Sequence, residues 1–181
     1  MSEVLPPQAL ADEAQAAYQR GEYTQAAHSY LALAQSFESM DDGPSAAEAR
    51  NNASVAWLQA NNAKAAYEAA EGTPAAFAAI GDVRRQGMAW GNLAAALDAL
   101  HRPVEAIQAY EQSLALLDAC GEREYRAYVY RALSGLKLKT GNQLEAMAFM
   151  DAGLDGLPKL SASQRLLKRL LGIWRKMLPH G

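Results

Sequence analysis

The chain has 181 residues, half of them apolar, and a formal net charge of −3. This composition is typical of a folded globular protein and argues against a disordered chain. The charge is unevenly placed, because residues 158–181 contain six Lys or Arg and no acid, and the acidic body that remains argues against nucleic-acid binding.

Apolar residues recur at i, i+3, i+4 and i+7 along most of the chain, which predicts amphipathic α-helices separated by Gly, Asn and Pro. In chain order we predict helices at about 8–20, 23–40, 45–60, 62–71, 83–100, 103–120, 123–140, 142–157 and 162–178. After the fourth, Gly72-Thr73-Pro74 interrupts the pattern. We therefore expect residues 74–80 to form a short separate helix that delivers Phe77 to the core.

The helices belong to a repeat with a period of 40 residues. Four turn segments begin at Gly21, Asn61, His101 and Gly141. Five residues after each start stands an Ala, and seven residues before it stands a small side chain. These columns are Ala26, Ala66, Ala106 and Ala146, and Ala14, Ser54, Ala94 and Ser134. We expect both columns where helices cross, since larger side chains would force the helices apart.

The repeat predicts an all-α fold, an α-solenoid made of four helical hairpins and a closing helix. All five parts are expected to form a single domain. The predicted repeats cover about 8–43, 44–81, 82–121 and 122–157, and the closing helix covers 161–178.

Each unit resembles a tetratricopeptide repeat. The turn Gly21-Glu22-Tyr23 matches that family's pattern. The aromatic position of the first helix reads Leu10, Arg50, Trp90 and Tyr130, and the later one reads Tyr30, Ala70, Tyr110 and Met150. The long period is similar to the kinesin-light-chain and LGN-like branches of the family. The resemblance implies a right-handed superhelix whose first helices line a concave groove for a peptide or helix of another protein.

The resemblance also implies which residues face that groove. Asn52 and Asn92 share one column, where an amide can hold a peptide backbone, tie neighbouring helices together or face water. A carboxylate clamp is not expected, because Asn51 and Gly91 stand where the family's clamp has Lys. The groove positions are Asp12, Gln15, Gln19, Asn51, Asn52, Val55, Asn92, Asp98, Arg131 and Lys139.

No catalytic, metal or cofactor site is predicted, and we do not expect an enzyme. The three His residues do not share a metal-ligand spacing with each other or with Cys120. Cys120 falls in one column with Met40, Ile80 and Leu160, and we expect it to be a small buried residue. The three Trp residues stand in apolar contexts that favour core packing.

The closing helix combines a capping-box pattern, Ser161 with Gln164, and strong amphipathicity. Its basic side contains Arg165, Lys168, Arg169, Arg175 and Lys176, opposite a side rich in Leu. Two interpretations are open. The helix closes the apolar end of the solenoid, or it contacts an anionic membrane or an acidic partner.

Together these features predict a protein-binding scaffold or adaptor. Its expected partner is another protein, with self-association through the terminal repeats as a further possibility. A peripheral membrane or assembly factor that uses the closing helix is the alternative. A cytoplasmic location is expected, because the chain has one Cys, no secretory signal pattern and no apolar run of the roughly 18 residues that span a bilayer.

Overall fold

The structure, a computed structural model, describes residues 6–157 and 159–177, with side chains as far as Trp174. Within these ranges the chain forms ten α-helices and no strand. They are α1 (Pro7–Gln19), α2 (Tyr23–Ser39), α3 (Gly43–Gln59), α4 (Ala63–Ala70), α5 (Thr73–Ala79), α6 (Val83–Ala99), α7 (Pro103–Cys120), α8 (Arg123–Lys139), α9 (Gln143–Asp155) and α10 (Ala162–Met177).

These bounds confirm the predicted helices to within two residues at each described end. The predicted break is also confirmed, because Gly72 adopts a left-handed φ of 83° between α4 and α5. The hydroxyl of Thr73 then donates a 2.8 Å hydrogen bond to the carbonyl oxygen of Ala70. The short helix α5 brings Phe77 into the core, where it is 1% exposed.

The chain divides into two compact units, Met1–Leu116 and Leu117–Gly181, and the division falls within α7. In unit 1 each helix packs on its neighbours in the chain, and α3 also contacts α6. The central core of unit 1 is built mostly from Ala side chains around Trp57. In unit 2, α8 packs on α9 and α9 on α10. This sequential packing of helices defines an all-α fold of the α-solenoid class.

Both predicted columns of small residues are buried at helix contacts. Ala26, Ala66, Ala106 and Ala146 are each 0% exposed, and the other column is no more than 2% exposed. In unit 2 the hydroxyl of Ser134 donates to the carbonyl oxygen of Ala146, so the two columns meet directly. A small residue is also required at Gly153, because a Cβ there would lie 3.2 Å from the Cβ of Tyr130.

The turns repeat twice as often as the hairpins. From residue 21 to residue 141, a residue with positive φ recurs every 20 positions, and it is Gly at 21, 81, 121 and 141. The residue after it donates its N–H to the carbonyl five positions back, at 2.8–3.1 Å in every case. This is the Schellman arrangement that ends a helix. Asp41, Asn61 and His101 adopt the same left-handed conformation without being Gly.

One prediction about the core is wrong. Cys120 was expected to be buried with Met40 and Ile80, but Cys120 is exposed and the other two are 52% and 49% exposed. All three stand at the last turn of a helix, one residue before the positive-φ position. The chain reverses there, and the helix no longer continues over these side chains to bury them.

Candidate functional site

The predicted groove residues all lie on the first helices of the repeats, but they are divided between the two units. Unit 1 holds those on α1, α3 and α6, and unit 2 holds Arg131 and Lys139 on α8. The exposed ones are Asp12, Gln15, Gln19, Asn52, Arg131 and Lys139. The half-buried ones are Asn51, Val55, Asn92 and Asp98.

Asn51 is the most unusual of these residues. Its Oδ1 atom is buried and receives no hydrogen bond from any described residue, although the side chain as a whole is only half-buried. A buried acceptor without a donor is unfavourable by about 1–3 kcal/mol. Its neighbour Asn52 points to the exposed side of α3, so the two amides meet different surroundings.

An apolar cleft of about 570 Å³ lies within unit 2, and we call it the α8 cleft. Residues from α8, α9, the segment after α9 and α10 form its walls. They are Glu124, Ala127, Tyr128, Arg131, Ser134, Gly135, Leu138, Met150, Gly153, Leu154, Leu157, Gln164 and Leu167. Arg131 is the one predicted groove residue in this cleft. The sequence reasoning missed the others, although Tyr128, Gly135 and Leu138 share one face of a predicted helix.

The α8 cleft is elongated along α8. Leu138 follows Tyr128 by ten residues, which corresponds to about 15 Å of helix. Gly135 lies between them, and a Cβ built on it would meet nothing within 4 Å. Tyr128 and Leu138 remain 37% and 49% exposed at the wall. The cleft therefore offers a long apolar strip with an open hole near its centre.

Charge in the α8 cleft is sparse. The guanidinium of Arg131 lies 5.8 Å from the ring centroid of Tyr128 and forms no salt bridge with any described residue. The Tyr128 ring in turn packs against Tyr125 at a centroid distance of 5.6 Å, and burial raises the pKa of the Tyr125 hydroxyl. Arg131 is thus a cation held beside aromatic surface and available to an acidic ligand.

Unit 1 contains a second cleft, of about 540 Å³, between α4, α6 and α7. It includes Trp90, which the sequence assigned to core packing and which is half-buried here. Arg102 stacks over the Tyr67 ring at 5.0 Å and binds Glu105, and this cation lowers the pKa of the Glu105 carboxyl. The remaining walls are mixed, with Leu93, Leu97 and Ala109 beside Gln108, Glu111 and Gln112. The mixture makes this cleft more polar than the α8 cleft.

The closing helix begins with the predicted capping box. The Ser161 N–H donates to Gln164 Oε1 at 2.8 Å, and the Gln164 N–H donates to Ser161 Oγ at 3.2 Å. Among the predicted basic residues, Lys168 pairs with Asp155 of α9, while Arg165 and Arg169 are exposed. The side chains of Arg175 and Lys176 lie outside the described residues.

Two further searches concern the described residues only. They contain no group of three or more His, Cys, Asp or Glu residues that could hold a metal ion. None of their helices is long and apolar enough to cross a membrane.

Comparisons with known proteins add little to this geometry. The chain matches no protein-family model and no curated protein. One solved structure similar to it is titled "Crystal structure of MamA protein", with 17% sequence identity and a TM-score of 0.47. That similarity covers 86% of this chain and 93% of the other. The class of protein therefore rests on the helices themselves, and the chain is an α-helical repeat protein.

Proposed function

We propose that this protein is a non-catalytic scaffold that binds a helical segment of another protein in the α8 cleft. The observation that carries the proposal is the shape of the cleft, a long apolar strip beside one cation that has no carboxylate partner among the described residues. A volume of 570 Å³ falls within the range of about 300–1,000 Å³ that is typical of ligand sites.

The length of the strip favours a helix over a compact small molecule. An amphipathic helix that lies in a groove places apolar side chains at i, i+3 or i+4, and i+7. Such a row matches the 15 Å or so between Tyr128 and Leu138. The hole at Gly135 accepts one bulky side chain, and Arg131 pairs with an acid on the same segment. The expected ligand is therefore an apolar helix with at least one Asp or Glu.

The remaining predicted groove residues supply a second contact surface in this proposal. In unit 1 these are Gln15, Gln19, Asn51, Asn52, Val55, Asn92 and Asp98, and in unit 2 Lys139. The amide of Asn52 is exposed on α3, where it can reach a peptide backbone. A cytoplasmic location and self-association through terminal repeats stay predictions from the sequence.

Selection from a random peptide library on the whole chain tests the proposal. Enriched peptides should contain apolar residues at helical spacing and an acidic residue. Gly135→Leu, which fills the hole, should weaken their binding at least about tenfold. Gly172→Leu is the matched control, since it makes the same change in unit 2 outside the cleft. Binding that survives Gly135→Leu would refute the α8 cleft as the site.

A charge reversal tests the role of Arg131. Peptides selected on wild-type protein should lose affinity for Arg131→Glu, and selection repeated on that variant should enrich basic residues in place of acidic ones. If both selections return the same charge, Arg131 does not contact the ligand. The amide surface is tested with Asn52→Ala and Asn92→Ala together, with Gln59→Ala on exposed α3 surface as the control. Wild-type affinity in the double variant would remove the amides from the site.

A further inference from the structure

The closing helix α10 packs on the protein through only part of its apolar side. Leu171 is 3% exposed, and Leu167 and Trp174 are half-buried. These three recur at i, i+4 and i+7. A second row with the same spacing, Leu166, Leu170 and Ile173, remains 59%, 55% and 58% exposed. We call this row the exposed stripe.

The exposed stripe differs from the other exposed apolar residues of the described chain. Met40, Ile80, Val104 and Leu144 are similarly exposed, but each stands singly on its own helix. Scattered apolar residues of that kind are normal on protein surfaces. On α10, three apolar side chains lie in one row about 10 Å long. The row is therefore a contiguous apolar surface rather than a scatter.

The charge beside the exposed stripe has one sign. Residues 159–177 include six Lys or Arg and no acid. Arg165 and Arg169 are exposed and form no salt bridge with any described residue, whereas Lys168 is directed to Asp155 of α9. At 100° per residue, the basic positions lie next to the exposed stripe and away from the packed row. The outward surface of α10 is thus half apolar and half cationic.

We propose that α10 binds this protein to an anionic lipid surface. In this arrangement the exposed stripe enters the boundary between headgroups and acyl chains, and the basic residues lie at the level of the lipid phosphates. Charge complementarity selects the occupant. An unbroken run of one sign along the whole helix matches a surface of uniform negative charge, whereas a protein partner presents charges at particular positions.

Co-sedimentation of the whole chain with lipid vesicles tests the proposal. Vesicles of phosphatidylcholine alone are compared with vesicles that also contain phosphatidylglycerol. We expect at least about tenfold stronger binding to the anionic vesicles, and a decline of that binding as salt is raised. Equal binding to the two kinds of vesicle, or none to either, would overturn the proposal. The second result is the one expected if α10 contacts an acidic protein instead.

Two double variants then test the two halves of the surface. Leu166→Ser with Leu170→Ser removes most of the exposed stripe, and Arg165→Glu with Arg169→Glu reverses the charge beside it. Each is expected to weaken binding to anionic vesicles at least about tenfold. All four side chains are exposed, so the fold should persist, which circular dichroism checks. Wild-type binding by either double variant would overturn the proposal.

Matched controls make the same chemical changes elsewhere. Val104→Ser with Leu144→Ser removes two apolar side chains that are 67% and 61% exposed. Lys64→Glu with Arg123→Glu reverses two exposed charges outside α10. Both controls should bind anionic vesicles like the wild type. If they lose binding as strongly as the α10 variants, the interaction depends on general charge or hydrophobicity, and the assignment to α10 is wrong.

Discussion

The hydroxyl of Ser134 on α8 donates a hydrogen bond of 2.8 Å to the carbonyl oxygen of Ala146 on α9, and both residues are buried. In the preceding repeats the Ser134 position is occupied by Ala14, Ser54 and Ala94. Ser54 is 0% exposed, and its Oγ atom has no hydrogen-bond partner among the described residues. The same residue type at the same repeat position is thus satisfied in one unit and unsatisfied in the other.

This difference predicts opposite effects of one substitution. Ser134→Ala should lower the free energy of unfolding by about 1 kcal/mol, because a buried hydrogen bond is lost. Ser54→Ala should leave it unchanged or raise it by up to about 1 kcal/mol, because an unsatisfied hydroxyl is removed. Urea denaturation of both variants measures the two changes. Equal destabilisation by both would show that the hydroxyl of Ser134 contributes nothing through its bond to Ala146.

Helix positions and the buried columns of small residues could be predicted from the sequence, because helical periodicity and close packing constrain every repeat. The exposure of Cys120 could not, since a residue at the end of a helix shares the apolar column but lacks the covering turn. The α8 cleft was missed for a related reason. Its far wall includes Leu167 of α10, and no repeat pattern indicates where a single additional helix will pack.

The 20-residue recurrence of left-handed turns was only half visible in the sequence. Gly at positions 21, 81, 121 and 141 is the expected choice for positive φ. Asp41 and His101 adopt the same conformation, and nothing in their identity requires it, although Asp, Asn and His tolerate it better than most residues. Their position in the register was the available signal.

The turns also predict substitutions of opposite sign. His101 has φ 58°, so His101→Gly should raise the free energy of unfolding by about 0.5–1 kcal/mol by relieving the left-handed backbone. Gly81→Ala should lower it by about 1 kcal/mol. A Cβ at Gly81 would meet no atom within 4 Å, so this loss reflects backbone conformation alone.

Gly135→Ala is the control for the turn variants. Gly135 lies inside α8 with equal space around it, and its φ is not positive. Ala should therefore stabilise the helix there by about 0.5–1 kcal/mol. Thermal denaturation of the three variants is the measurement. If Gly81→Ala and Gly135→Ala change the melting temperature in the same direction, the left-handed conformation does not determine the stability of the turn.

The side chain of Asp82 caps α6 and makes stability sensitive to acid. The Arg85 N–H donates to Asp82 Oδ1 at 2.8 Å, and the Arg85 Nε donates to Oδ2 at 2.6 Å. These hydrogen bonds, the backbone one first, lower the pKa of the Asp82 carboxyl. A lowered pKa means that the native state binds the proton more weakly than the unfolded state does. The stabilisation is therefore complete above the unfolded pKa of about 4, and it is lost as the pH falls through the lower pKa of the folded protein.

The variant Asp82→Asn separates this titration from the cap itself, because the amide oxygen still accepts the Arg85 N–H. At pH 7 the wild type should be the more stable protein, and the difference should shrink toward zero as urea denaturation is repeated from pH 5 down to pH 2. The reverse change is available one repeat earlier, where Asn62 accepts the Ala65 N–H at 3.2 Å. Asn62→Asp should stabilise the protein at neutral pH through the helix dipole and lose that gain in acid. A difference between wild type and Asp82→Asn that stays constant over this pH range would show that the carboxylate charge at the cap does not contribute to folding.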